Sequence, residues 1–353
     1  MGLRTLALSE ELGGAGADAL TCCIVTEELA AGDADLAAVL AETSALGGVL
    51  FGRMTNKQRA RFLPRFLEDD RYHLARARDE PDTDTALGVN YHRPAATDVT
   101  LKTKAVRGGS DWIINGVKHC VANAPIAKLL AVEAEIEGHG AGTLLVPRDA
   151  PGLTVREPDG GRRWYHGACG EVVFADCRVP ADHLLPGVMT PTDADGRRAA
   201  QLAALNLGIG RAAYEAALDY AQLRVQGGRR IIEHQAIGTK LAEVAIKLEV
   251  ARNAVWKAAW ASDHREARAD RSLADLPLDT IAQVFTAEVI FEAAKDAAEC
   301  FGAMGVMRDM PLQKYVHDAR ICLHAGHGNA DAKLRIAEAL IGYRRPAAAI
   351  AAE

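Results

Sequence analysis

The chain has 353 residues, a formal net charge of -6, and 49% hydrophobic and 25% charged residues. That length exceeds one ordinary core and predicts two or three packed units of a globular protein. The mildly acidic balance makes nucleic acid and anionic membranes poor partners, so a polyanionic ligand would need a local basic site. Seven cysteines, an odd count with no CxxC spacing, argue against a disulfide framework or a zinc site and fit reduced thiols in a cytoplasmic protein. The opening MGLRTLALSEELGGAG lacks the apolar core of a signal peptide, and no stretch reads as long and apolar enough to span a bilayer.

The first 70 residues read as helices. Asp18 caps a predicted helix from Ala19 to Leu29, and Asp33 caps the next from Ala34. The Ala, Leu and Val content up to Gly52 predicts burial, and Thr55 caps a short helix from Lys57 to Phe66 with a basic outer face. From about Tyr72 to Pro186 the pattern changes. Val99, Leu101, Thr103 and Ala105 fall on one side of an alternating run. Asp111 to Ile114, then Asn115-Gly116, then Val117 to Val121 predict a hairpin with a type I′ turn. Leu129 to Ala134, Gly142 to Val146 and Glu171 to Ala175 add short strands, so this unit is expected to be an antiparallel barrel or sandwich.

The helical period returns from about Arg197. Ile237, Leu241, Val244, Leu248, Ala251 and Val255 paint one apolar stripe, and helices are also expected at about Gly208 to Arg224, Asp279 to Phe301 and Ala330 to Ile341. A four-helix bundle closes the chain on this reading. The expected architecture is mainly α with an antiparallel β domain. It comprises an N-terminal helical domain over 1–70, a middle β-barrel or sandwich over 71–186, and a C-terminal helical bundle over 187–353. The Ala-rich tail after Pro346 is expected to fray.

Four segments sharpen this order. Ser9-Glu10-Glu11-Leu12-Gly13-Gly14-Ala15-Gly16 is similar to a Pro-Glu-Glu-Tyr-Gly-Gly-x-Gly motif, and Asn115-Gly116-Val117-Lys118 to an Asn-Gly-x-Lys motif. Arg224 with Gln226-Gly227-Gly228 and Gln235 is similar to an Arg-x-x-Phe-Gly and Phe-Gln pattern. Phe301-Gly302-Ala303-Met304-Gly305, Pro311, Tyr315 and Asp318-Ala319-Arg320 match Phe-Gly-Gly-x-Gly…Pro…Tyr-x-Asp-Ala-Lys. Together, across nearly the whole chain, they resemble the acyl-CoA dehydrogenase family, whose members usually carry a further helix before the first motif.

The resemblance implies α,β-dehydrogenation of an acyl-CoA thioester: a carboxylate takes the α-proton while a hydride leaves the β-carbon for N5 of FAD. It also implies a tetramer with FAD between subunits, and an electron-accepting flavoprotein as partner. Arg224 and Gln235 are then expected to reach the FAD of a neighbour, the planar Arg fork matching two diphosphate oxygens. A solvated Arg at a helix end is the plain alternative. Gly302 and Gly305 are expected beside FAD, where backbone comes close, or as helix caps. Glu299 stands where the family has Gln and places a negative charge near the adenosine half.

The expected flavin face departs from the pattern. Cys120-Val121-Ala122-Asn123 replaces Trp-Ile-Thr-Asn, so the stacking indole and the hydroxyl are gone while Asn123 remains. Asp79-Glu80-Pro81 keeps part of the Thr-Glu-Pro segment, Thr85 can stand in for its Ser, and extra residues including Tyr91-His92-Arg93 follow. In His324-Ala325-Gly326-His327, Ala325 occupies the slot of the catalytic Glu and cannot accept a proton. His324, His327 and Asp195 are the candidate replacement bases, a neutral imidazole being able to accept a proton near pH 7. His92, His317, His324 and His327 lack a ligand spacing, so no metal is expected.

Three functions follow. The first is an FAD-dependent acyl-CoA dehydrogenase with an unusual base. The second is a silent partner subunit in a heterotetramer with a second acyl-CoA dehydrogenase-like chain, as against a homotetramer. The third is a flavin-dependent oxidase or monooxygenase on the same fold, which needs no α-proton base. No motif reports the acyl group.

Overall fold

The computed structural model describes residues 2–81, 101–157, 165–187, 189, 191–264, 266–269, 276–325 and 328–340, with the backbone alone for 191–197, 268 and 269. Three helices open the chain: α1 (Ala19–Gly32), α2 (Ala34–Arg53) and α3 (Asn56–Glu68). Their caps are those the sequence announces. Asp18 accepts from the N–H of Thr21, Asp33 from that of Leu36, and Thr55 and Gln58 form a reciprocal capping box. At the other end of α3, Arg4 donates to the carbonyls of Phe66, at 2.7 Å, and Tyr72.

Contrary to the sequence reading, one stretch does reach membrane-spanning length. α2 is long and apolar enough to cross a membrane, with a mean hydropathy of 1.5. Half of that stretch is buried within the protein instead. Leu46, Leu50 and Phe51 pack with Phe62 and Phe66 of α3, and with Leu74, Leu129 and Leu145 of the sheet described next. Its length therefore reflects a core helix under two layers.

Among the described residues, seven strands form the middle layer: β1 (His73–Ala77), β2 (Lys104–Gly108), β3 (Asp111–Ala122), β4 (Ala127–Ile136), β5 (Gly140–Pro147), β6 (Leu153–Arg156) and β7 (Cys169–Pro180). Their order is β1-β4-β2-β3-β7-β6, with β5 on β4. Antiparallel pairing dominates, while β4 meets β1 and β2 in parallel. Trp112, Ile114, Val132, Leu144, Val146 and Phe174 fill the inner face.

The expected hairpin at Asn115-Gly116 is not there. Asp111 to Ala122 is one strand, and the turn lies earlier, at Gly109-Ser110, between paired Gly108 and Asp111. Asn115 instead exchanges hydrogen bonds with Asp176 of β7, at 3.1 and 2.8 Å, where the register slips. Gly116 has φ of 148°, and a Cβ there would meet Thr103 at 2.6 Å. The Asn-Gly pair thus makes a bulge, not a reversal. Of the expected alternating run, Thr103 and Ala105 are fully buried; Val99 lies outside the described residues.

Helices return with α4 (Pro191–Leu223). A small hairpin follows, β8 (Val225–Gln226) and β9 (Arg229–Arg230), and then α5 (Gln235–Asp263), α6 (Glu266–Ala269), α7 (Leu278–Glu299), α8 (Leu312–Cys322) and α9 (Gly328–Leu340). The predicted stripe holds: Leu241, Val244, Leu248, Ala251 and Val255 are buried. α4, α5, α7 and α8 share the bundle core; α9 lies against α7 through Asn329 and Lys333. Ala30, Ala34 and Ala37 enter the same core, so the first helices and the bundle pack as neighbours. Gly208 permits this, since a Cβ there would lie 2.4 Å from the carbonyl of Glu27.

Candidate functional site

At the end of β3 the chain bends through two left-handed residues, Cys120 with φ of 52° and Asn123 with φ of 62°. Such angles cost a Cys more than an Asn, so the surroundings must hold the bend. Asn123 is buried and its side-chain amide donates to Val39 O at 3.0 Å, Thr43 Oγ1 at 3.1 Å and Leu74 O at 3.3 Å. Its donors are spent on joining β3 to α2 and β1. Burial and the nearby Asp79 push the Cys120 thiol up to about 11, and burial with Cys120 pushes Cys169 up to about 12. Both stay protonated at neutral pH and are poor nucleophiles.

Below the bend lies a sealed ion pair. Lys118 Nζ stands 2.8 Å from Glu80 Oε1, and both side chains are inaccessible. Glu80 also accepts the N–H groups of Lys102 and Thr103, while Lys118 donates to Arg78 O. Burial works against the Glu80 charge, but the hydrogen bonds from Lys118 and Thr103 bring its carboxyl below the usual range. Burial lowers Lys118, with Glu80 opposing.

The turn after α8 carries the empty slot. His324 is exposed, its N–H on Ile321 O at 2.9 Å, and Ala325 is half-buried. His327 lies outside the described residues, as do Thr85 and the Tyr91-His92-Arg93 stretch; Asp195 sits near the start of α4 with only its backbone described. His317 on α8 and His324 form no metal cluster among the described residues.

A different site stands at the far end of the bundle. Tyr220 of α4 stacks on Phe301 at 4.1 Å, which joins the end of α4 to the segment that leads into the 3-10 helix Gly302–Val306. Arg224 enters the β8–β9 hairpin and is exposed. Gln235, also exposed, opens α5 and lines a groove of about 450 Å³ with Ala236, Thr239, Lys240 and Glu243. Lys240 Nζ reaches Glu299 at 2.6 Å, so the added charge of Glu299 is matched within the chain. Gly302 has φ of 56° with open space where a Cβ would stand, whereas a Cβ on Gly305 would meet Ala298 O at 2.4 Å. Gly305 thus serves packing, and Gly302 an open turn.

Comparison with known proteins gives the family. Residues 1–70, 94–177 and 195–341 match, in order, the N-terminal, middle and C-terminal domains of acyl-CoA dehydrogenase. The chain belongs to the acyl-CoA dehydrogenase family. A probable acyl-CoA dehydrogenase of Bacillus subtilis is 30% identical over 350 residues, 94% of this chain and 84% of that protein. A 3-sulfinopropanoyl-CoA desulfinase of Paraburkholderia xenovorans is 30% identical over 361 residues, 97% and 86% of the two chains. The solved butyryl-CoA dehydrogenase of Megasphaera elsdenii superposes with a TM-score of 0.81 at 25% identity, covering 96% of this chain and 87% of that one.

Within this family member the expected site residues fall into two groups. Arg224, Gln235 and Gly302 lie at the ends of α4, α5 and α7, which Tyr220–Phe301 and Lys240–Glu299 join. Asn123 and Ala325 belong to the other group, beside β3 and α8, and Asn123 is occupied by internal bonds. Sequence reasoning missed Lys240, whose partner Glu299 is 59 residues away, and His166, which lies against α8. The charge of Glu299 was a usable signal for the first; nothing local marked the second.

Proposed function

We propose that this chain is a subunit of an FAD-dependent acyl-CoA dehydrogenase-type oxidoreductase, tetrameric and cytoplasmic, acting on an acyl-CoA thioester. The observation that carries it is the exposure of Arg224, Gln235 and Gly302 in a chain that matches the family over its three domains. Arg224, Gln235 and the Gly302 turn offer a guanidinium, a carboxamide and exposed backbone, which suits a diphosphate. Lys240 holds Glu299, so that carboxylate is matched within the chain, while Glu243 also lines the groove. Bound there, the cofactor would supply the hydride acceptor. The chain's own part is to bind and orient it: Arg224 grips phosphate oxygens and Gln235 fixes the angle of approach.

The flavin-side face fits less well. Cys120 and Ala122 offer neither a stacking ring nor a hydroxyl, and Ala325 has no proton acceptor. A second reading therefore stands beside the first: a silent subunit whose Arg224 and Gln235 complete a partner chain's cofactor site. One relative is named as a desulfinase, so membership fixes the fold and not the bond that reacts.

Purification with FAD, alone and with a second family chain bearing the Glu, separates these. A yellow protein that bleaches with acyl-CoA supports the active enzyme. Flavin retained only in the mixed assembly supports the silent subunit. No flavin in either preparation overturns both.

A further inference from the structure

We propose that His166 is a positioning residue that fixes the turn carrying Ala325 relative to the Cys120–Asn123 bend. It sits in the loop before β7 with its side chain 6% exposed. Its Nε2 lies 3.0 Å from the carbonyl oxygen of Asp318 and 3.5 Å from Sγ of Cys322, both on α8. A carbonyl only accepts, so Nε2 carries the proton and donates. Nδ1 faces Asp35 of α2 at 3.6 Å, beyond hydrogen-bond reach.

The next two residues extend the joint. Gly167 donates its N–H to Asp35 Oδ1 at 3.0 Å, and with φ of 73° lies so close to α2 that a Cβ would meet Val39 at 3.1 Å. Ala168 accepts the N–H of Asn123 at 2.7 Å. Three consecutive residues thus tie α8, α2 and the bend together. α8 ends at Cys322, and the turn with Ala325 hangs directly from it, so a shift of α8 is carried to that turn. An ordinary buried histidine that anchors only its own loop would not couple the two sides. Any effect on turnover rests on the flavoprotein reading above; the coupling itself does not.

Hydrogen exchange on the full chain tests it, comparing wild type with His166→Ala and His166→Gln. Losing one buried hydrogen bond should speed exchange about fivefold in peptides over 120–127 and 320–325, with the α4 and α7 core unchanged. Glutamine, whose amide nitrogen can reach the same carbonyl, should restore most of the protection. Loosening confined to residues 165–168, or no rescue by glutamine, overturns the proposal. Should His166→Ala fail to fold, Asp35→Ala gives the same test from the other side: losing the Gly167 contact should loosen 120–127 and, through His166, 320–325 as well. Loosening of the bend with 320–325 unchanged would count against the joint. Flavin content read on the same samples separates a failed flavoprotein reading, which leaves the exchange result standing, from a failed joint.

Discussion

Lys118 and Arg224 are both cations of one acidic chain, and their settings are opposite. Lys118 is sealed under the bend with Glu80, and Glu80 takes two further backbone N–H groups. Arg224 is exposed at the end of α4, as are Gln235 at the start of α5 and the open Gly302 turn. A buried charge paired and hydrogen-bonded inside the protein is structural. Exposed donors, one of them lining a groove, are available for recognition. The difference separates residues that hold the fold from residues offered to a ligand, although both sit in family motifs.

Breaking the sealed pair should show the largest effect. Lys118→Met leaves Glu80 charged and buried, and should cost roughly 3–5 kcal/mol in denaturant unfolding. Glu80→Gln combined with Lys118→Met should cost less than Lys118→Met alone. A stability equal to wild type in the single variant would erase the contrast. Asn123→Ala comes next. It strips the donor from three acceptors and places alanine at positive φ, for a loss of about 2–4 kcal/mol by the same assay.

The two glycines sharpen the comparison on one short segment. Gly305→Ala forces a Cβ against Ala298 O and should cost about 1–3 kcal/mol. Gly302→Ala meets no atom, so only its positive φ opposes it, at about 1 kcal/mol. Thermal unfolding of the pair should therefore rank Gly305→Ala well below Gly302→Ala.

A smaller, pH-dependent effect belongs to the sealed class. His183 Nδ1 donates to Leu145 O at 2.8 Å and Nε2 accepts from Arg61 at 2.8 Å, so the ring is neutral in the fold. Burial lowers its pKa, partly offset by the Leu145 bond and reinforced by Arg61. The folded chain thus binds the proton less readily than the unfolded one. Its contribution is present above the ordinary histidine value and is lost as pH falls below it. Unfolding midpoints measured from pH 7.5 down to 5.5 should fall more steeply in wild type than in His183→Gln. His73, also lowered by burial, keeps part of the slope in both.

Local chemistry was legible in the sequence. Asp18, Asp33 and Thr55 cap their helices through atoms three residues away, and the α5 stripe needs only its own period. Asn115-Gly116 misled because its partner, Asp176, is 61 residues distant and turns a reversal signal into a bulge. α8 is short and lies in a motif read for its residues and not its period. The two groups of site residues could not be told apart in sequence, since Asn123 and Arg224 both look like motif donors. Only the packing of Asn123 against Val39 and Leu74 shows which of them is spent.

The central claim is that the bundle end, and not the sealed bend, offers this chain's donors to a phosphate-bearing cofactor. FAD titration of wild type and Arg224→Glu, alone and with a second family chain, tests it most directly. The account predicts binding at least about tenfold weaker in the variant, with unfolding unchanged to within about 0.5 kcal/mol. Equal affinity for FAD in the two proteins, or no binding by wild type in either setting, would contradict it.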